Sequence, residues 1–161
     1  MNYSQPISEE LITQLQLWQP VLFKQILQTG AFIREERQKF VEKHIEFKGK
    51  NDLVSYVDRT AEAQLIACCK KIIPDSGFVN EETGSIDLHH DFIWIIDPLD
   101  GTTNFIHGVP IFCISLALQY QQTLVLGIVY EVNRDELFSA IVGQGAFLNE
   151  KKNNRKLRSN D

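Results

Sequence analysis

The chain has 161 residues, of which 43% are hydrophobic, and this is enough for one domain with its own core. Its formal net charge of −5 argues against the basic surface on which nucleic-acid binding depends. No apolar run approaches the length of a membrane-spanning helix, and Glu9 and Glu10 follow the first residue too closely for a signal peptide. Three cysteines without metal-ligand spacing indicate free thiols in a reducing compartment, so we expect a cytoplasmic protein.

The first part of the chain predicts two helices and a short strand. Ser8 is suited to cap a helix that runs to about Trp18. Pro20 is expected to begin a second helix, which continues to Val41, because proline is well tolerated in a first helical turn. Residues 45–48 are expected to form a short strand that leads into a glycine turn.

A further helix is predicted over residues 53–73, where Pro74 stops it. Asp58 and Glu62 lie one turn apart on this helix, so their carboxylates share a face. We expect Glu62 to be solvated, as charged residues on helices usually are.

The candidate functional residues directly follow the apolar run of residues 92–96, which predicts a strand buried on both faces. Pro98 is expected to end the strand because it has no N–H to donate. Asp97 would then be the last residue of the strand, and Asp100 would lie in the turn beyond it.

The residues of this turn suit a divalent cation and a phosphate. The carboxylates of Asp97 and Asp100 are hard oxygen ligands, and the carbonyl of Leu99 is a further candidate. Gly101 allows close approach of the backbone, and residues 102–104 are suited to open a short helix whose free N–H groups face a phosphate. An Asp-Pro or Asp-Gly pair alone would indicate only an ordinary turn, but the whole string is jointly suited to metal and phosphate binding.

The second half of the chain predicts an antiparallel meander. Its strands are expected over residues 112–120, 123–131, 136–142 and 146–149. Helices followed by a meander predict an α+β fold, in which the helices pack on one face of a largely antiparallel sheet. The other face of the sheet is then exposed unless a further domain or a partner covers it.

Residues 92–105, FIWIIDPLDGTTNF, resemble the signature of the inositol monophosphatase family of magnesium-dependent, lithium-sensitive phosphatases. Residues 48–58, the pair Glu81-Glu82 and residues 143–149 resemble three further segments of that family, although Asn80 replaces the usual small residue before the acidic pair. The resemblance covers about residues 30–157 and implies the N-terminal half of the layered sugar-phosphatase fold.

The resemblance also implies the site residues. Glu81, Asp97 and the Leu99 carbonyl would hold one Mg²⁺, and Asp97 would bridge to a second ion held also by Asp100. Thr102, paired with Glu81, would orient the attacking water and help to deprotonate it. Catalysis by a metal-activated water implies no covalent phosphoenzyme.

Further roles follow from the same resemblance. Asp58 would hold a third ion through waters, and Glu82 would be the solvated neighbour of the true ligand. The substrate contacts would come from Asp100, Gly101, Thr102, Thr103 and Lys48, with the Gly101 and Thr102 amides on the phosphate. For Lys48 an ordinary surface position is an equal alternative, because Lys50 could take its place.

The expected substrate is a small phosphate monoester, inositol monophosphate or a related sugar phosphate. Haloacid-dehalogenase phosphatases separate their two aspartates by one residue, whereas Asp97 and Asp100 are separated by two. Bisphosphate nucleotidases carry Lys-Glu-Phe where this chain has Thr103-Asn104-Phe105, so the inositol monophosphatase branch fits better. Fructose bisphosphate and other sugar phosphates stay open as substrates.

The expected division of the chain is an N-terminal helical segment (1–29), a metal- and phosphate-binding domain (30–150) and a polar, basic tail or linker (151–161). The resemblance implies a second α/β domain with one more metal-binding aspartate, which these residues do not include. The alternative function is therefore a catalytically incompetent fragment that acts as a binding or interaction module. Self-association, for example as a homodimer, is left open by the sequence.

Overall fold

The computed structural model describes residues 7–42, 47–80 and 88–152. Two long helices come first, α1 (Glu9–Glu42) and α2 (Phe47–Ile72), and they pack against each other. The hydroxyl of Thr29 on α1 donates to the side chain of Gln64 on α2 at 2.9 Å, and the rings of Phe32 and Tyr56 meet edge to face.

Helix α1 is continuous, so the expected break between Trp18 and Pro20 is wrong. Ser8 does cap the helix, since its side-chain oxygen accepts a hydrogen bond from the Leu11 amide at 3.2 Å. Pro20 removes one helical hydrogen bond, but Leu15 and Leu22 on either side of it are buried in the core. Packing of this face offsets the local cost of the proline.

Helix α2 begins earlier than expected. Residues 47 and 48 are helical, which contradicts the strand predicted over 45–48, while residues 45 and 46 lie outside the described part of the chain. A four-residue run cannot distinguish a strand from a helix by its pattern alone. The predicted end of the helix is confirmed to within one residue.

Within the described residues, seven strands form one sheet in chain order: β1 (Gly77–Asn80), β2 (Phe92–Asp100), β3 (Cys113–Tyr120), β4 (Thr123–Glu131), β5 (Glu136–Ile141), β6 (Gly145–Leu148) and β7 (Lys151–Lys152). Strand β1 is parallel to β2, and every other neighbouring pair is antiparallel. The predicted α+β class and the meander are confirmed. A short helix, α3 (Thr102–His107), lies between β2 and β3.

One face of the sheet forms the core with the two long helices. Trp94, Leu118 and Leu126 lie in register across β2, β3 and β4, and all three are buried. The opposite face is more open, since Ile95 keeps 37% of its surface exposed and Val129 and Phe138, which pair across β4 and β5, keep 39% each. The expectation that β2 is buried on both faces is therefore wrong at Ile95.

No helix among the described residues is long and apolar enough to cross a membrane.

The packing of α1 on the sheet generates a stability prediction at Gly30. A β-carbon at this position would lie 2.4 Å from Cε1 of Tyr130, a fully buried ring on β4. We expect Gly30→Ala to lower the free energy of unfolding by about 1–3 kcal/mol, because the clash outweighs the better helix propensity of alanine. Urea unfolding measures the change.

Gly127→Ala is the matched control, because a β-carbon there meets nothing within 4 Å. We expect this substitution to change the free energy of unfolding by less than about 1 kcal/mol. A Gly30→Ala protein as stable as the parent would contradict the close packing of α1 on Tyr130.

Candidate metal and phosphate site

The site lies where β2 ends. The strand continues through Pro98 to Asp100, so the prediction that Pro98 ends it is wrong. The pairing with β3 accommodates the proline, because it shifts register between Asp97, opposite Ser115, and Asp100, opposite Cys113. Pro98 therefore lies in a bulge, where a missing N–H costs little.

Side chains and backbone are bonded to each other inside this bulge. The amide of Leu99 donates to Oδ1 of Asp97 at 3.2 Å, and the hydroxyl of Thr102 donates to the Leu99 carbonyl at 3.0 Å. Leu99 itself is buried and anchors the turn in the core. Asp97, the Leu99 carbonyl and Thr102 are thus held as one unit.

Gly101 connects the bulge to α3, and its position requires glycine. Its φ is +96°, and a β-carbon would lie 3.0 Å from the Ile111 carbonyl oxygen and 3.2 Å from Cβ of Phe112. The predicted short helix at Thr102 is confirmed as α3, whose first bond runs from the Phe105 amide to the Gly101 carbonyl at 3.0 Å. The backbone therefore turns tightly at the point where a phosphate is expected.

Cys113 is a neighbour of the site that the sequence did not indicate. Its thiol donates to Oδ2 of Asp100 across 3.6 Å. Burial, together with the negative charge of Asp100, raises the pKa of the Cys113 thiol to about 12, so the thiol stays protonated and acts as a donor. Only the shifted strand pairing brings residues 100 and 113 together.

Two carboxylates of α2 are buried. Asp58 and Glu62 keep 4% and 2% of their surface exposed, so the expectation of a solvated Glu62 is wrong. They share the helical face of Val57, Ala61 and Leu65, which packs into the core. Within the described part of the chain, Oε1 of Glu62 has no hydrogen-bond partner.

The remaining predicted residues are placed in part or not at all. Glu81 and Glu82 lie outside the described residues. Lys48 lies in the first turns of α2, with its side chain outside the description, and Thr103 is exposed at the start of α3. Among residues 7–42, 47–80 and 88–152, no three His, Cys, Asp or Glu side chains converge as a metal-binding group.

The donors that the structure does describe fit a hard cation. They are two carboxylates and one carbonyl, all oxygen, at Asp97, Asp100 and Leu99. The Leu99 carbonyl accepts one hydrogen bond from Thr102 and keeps a second lone pair. Asp97 accepts the hydrogen bond of the Leu99 amide through Oδ1.

Comparison with known proteins decides the family. The sequence profile of the inositol monophosphatase family matches residues 14–160. The chain belongs to the inositol monophosphatase family. This confirms the resemblance of the signature around Asp97 and Asp100.

Individual relatives agree with this assignment. Inositol monophosphatase 2 of Solanum lycopersicum is 45% identical over 127 residues, which are 76% of this chain and 47% of that protein. Fructose-1,6-bisphosphatase/inositol-1-monophosphatase of Aquifex aeolicus is 39% identical over 76% of this chain and 47% of its own length. The crystal structure of extragenic suppressor protein suhB from Bartonella henselae superposes with a TM-score of 0.71 at 35% identity, covering 83% of this chain and 52% of that one. The chain thus spans about half the length of the relatives it matches.

The burial of Glu62 generates a prediction about stability. A buried polar atom without a partner costs about 1–3 kcal/mol, and methionine has a similar length without that atom. We expect Glu62→Met to raise the free energy of unfolding by about 1–2 kcal/mol, measured by urea unfolding. Gln64→Met is the control, since Gln64 accepts a hydrogen bond from Thr29 and its loss should destabilise the protein. A large loss of stability in Glu62→Met would show that this carboxyl is satisfied.

Proposed function

We propose that this chain is the metal- and phosphate-binding part of a Mg²⁺-dependent phosphate monoester hydrolase that acts on inositol monophosphate or a related sugar phosphate. The observation that carries the proposal is the bulge at the end of β2, which brings Asp97, the Leu99 carbonyl and Asp100 next to the Gly101 turn. Membership of the inositol monophosphatase family supports it. The metal and phosphate site would lie in the domain of residues 30–150.

The proposed ligands are Glu81, Asp97 and the Leu99 carbonyl for one Mg²⁺, and Asp97 with Asp100 for a second. When bound, Mg²⁺ supplies charge neutralisation at the phosphoryl oxygens and acidifies the attacking water. Asp58, buried on α2, would hold a third ion through waters. Inhibition by Li⁺ is expected because the family resemblance implies it.

The protein's own groups bind and orient the reactants. The first amides of a helix have no partner within the helix, so the amides of Gly101 and Thr102 are suited to bind the phosphate at the start of α3. The Thr102 hydroxyl, which lies against the Leu99 carbonyl, would orient the water together with Glu81. Asp100, Thr103 and Lys48 are the further proposed contacts of the substrate.

The substrate class is supported by the names of the relatives. One relative from Aquifex aeolicus is described as both a fructose-1,6-bisphosphatase and an inositol-1-monophosphatase, so a sugar phosphate is included in the proposal. The three free cysteines support a reducing, cytoplasmic location. Pairing of two copies as a homodimer is also proposed, through the open face of the sheet that carries Ile95, Val129 and Phe138.

The first test substitutes Asp97, which is the only residue proposed to touch both ions. Asp97→Asn keeps the Oδ1 acceptor for the Leu99 amide and removes the charge, so the fold should survive. We expect Mg²⁺-dependent phosphate release from myo-inositol 1-phosphate to fall by about a hundredfold or more. Phosphate release and Mg²⁺ binding by calorimetry are measured on the same 161-residue chain.

Asp135→Asn is the control, because Asp135 accepts a hydrogen bond from the Tyr130 hydroxyl in the turn between β4 and β5, outside the proposed site. Equal activity of Asp97→Asn and the parent chain would overturn the proposal. Mg²⁺ binding without phosphate release would instead favour the alternative of a binding module, with turnover requiring more than these residues.

A second test asks whether the Thr102 hydroxyl takes part in the reaction. Thr102→Ser keeps the hydroxyl that donates to the Leu99 carbonyl, whereas Thr102→Val removes it at nearly constant volume. We expect Thr102→Val to lower kcat for phosphate release by roughly a hundredfold, since the water loses an orienting group, and Thr102→Ser to keep most of the rate. Similar kcat values for the two variants would show that the hydroxyl does not take part in the reaction.

A further inference from the structure

We propose that Arg37 of α1 is a positioning residue. It contacts the C-terminal end of α3, and by holding this helix in place it also holds the Gly101 and Thr102 backbone at the N-terminal end of α3. This inference rests on the proposed function for its catalytic consequence, while its structural part stands by itself. Arg37 lies in the C-terminal part of α1.

The first contact is with the ring at the centre of α3. The guanidinium carbon of Arg37 lies 5.6 Å from the centroid of the Phe105 ring, within the range of a cation–π interaction. Phe105 is fully buried and also meets the ring of Phe112 edge to face at 5.4 Å. Phe105 is thus held by Phe112 on one side and by Arg37 of α1 on the other.

The second contact is at the C-terminal end of α3. Gly108 follows the helix with a φ of +81°, and its amide caps the carbonyls of Asn104 and Phe105. A β-carbon on Gly108 would lie 2.9 Å from Nη2 of Arg37, so the guanidinium lies directly against this cap. A cation is favourable here because the carbonyls at a helix C-terminus carry partial negative charge.

Helix α3 needs such support because it has only six residues. A helix of this length is not stable by itself in water and extends only about 9 Å. A shift of the C-terminal end of α3 at Gly108 therefore also shifts its N-terminal end at Thr102. Burial lowers the pKa of Arg37 from its ordinary value, but a guanidinium stays charged at neutral pH.

Arg34 provides a matched control one turn earlier on the same helix. Its Nη1 donates to the Tyr130 hydroxyl at 2.9 Å and to the Val132 carbonyl, so it ties α1 to β4 instead of α3. Loss of either arginine should cost stability. Only loss of Arg37 should loosen α3.

The experiment measures amide hydrogen exchange at two positions in and after α3. The Phe105 amide donates to the Gly101 carbonyl, and the Val109 amide donates to the Asn104 carbonyl. We expect Arg37→Met to speed exchange at both amides by roughly two- to thirtyfold relative to the parent. Arg34→Met should leave these two amides unchanged, and Arg37→Lys, which keeps the charge, should restore part of the protection.

A pair of glycine substitutions tests the same contact from the other side. Gly108 and Gly143 both have positive φ, +81° and +75°, but a β-carbon at Gly143 meets nothing within 4 Å. Both alanine variants strain the backbone, and only Gly108→Ala displaces Arg37. Gly108→Ala should therefore speed exchange at Phe105, and its effect should not add to that of Arg37→Met.

The functional readout is phosphate release from myo-inositol 1-phosphate. Arg37→Met should lower kcat/KM while the Mg²⁺ concentration for half-maximal rate stays unchanged, because Asp97 and Asp100 precede α3. If the parent chain releases no phosphate but Arg37→Met still loosens α3, the proposed function fails and the role of Arg37 stands.

Two results would overturn the inference: unchanged exchange at Phe105 and Val109 in Arg37→Met, or an equal change in Arg34→Met. If Arg37→Met does not fold, Arg37→Lys and Gly108→Ala decide the question, since each keeps a cation on α1. Additive effects of Gly108→Ala and Arg37→Lys would then show that the two positions are independent and would also overturn it.

Discussion

The structure depends on the shift of register between β2 and β3 at Asp97 to Asp100. A regular ladder would place alternate side chains of this segment on opposite faces and would keep its carbonyls bonded to a neighbouring strand. The bulge places Pro98 where its missing donor costs little. Within it the Leu99 carbonyl accepts from the Thr102 hydroxyl and the Asp97 carboxylate accepts from the Leu99 amide. Oxygen atoms are thereby gathered at the end of a buried strand.

The rest of the fold keeps this strand end in place. Trp94 and Ile96 bury the strand against the long helices, and β1 pairs with it in parallel as far as Ile96. Phe105 then anchors α3 beneath the turn, between contacts from Phe112 and from Arg37 of α1. The continuous α1 extends from the core near Leu15 to the guanidinium of Arg37 at α3.

The sequence predicted much of the candidate site because its residues are neighbours in the chain. Asp97, Leu99, Asp100, Gly101 and Thr102 span six positions, so local geometry alone brings them close. The burial of Glu62 could not be predicted in this way, because a charged residue on an amphipathic helix is usually solvated and only packing against the core decides otherwise. The contact of Cys113 with Asp100 likewise depends on strand pairing across 13 positions.

The sequence by itself determined the α+β class, the meander of β3 to β6, the short helix at Thr102 and the family to which the chain belongs, because each rests on local pattern or on contiguous residues. Tertiary structure alone decided the continuity of α1 through Pro20, the extension of β2 through Pro98 and the position of Arg37. In each of these cases a local preference competes with burial of apolar surface or with strand pairing. Such competition is settled by contacts between residues far apart in the chain, which no short window of sequence contains.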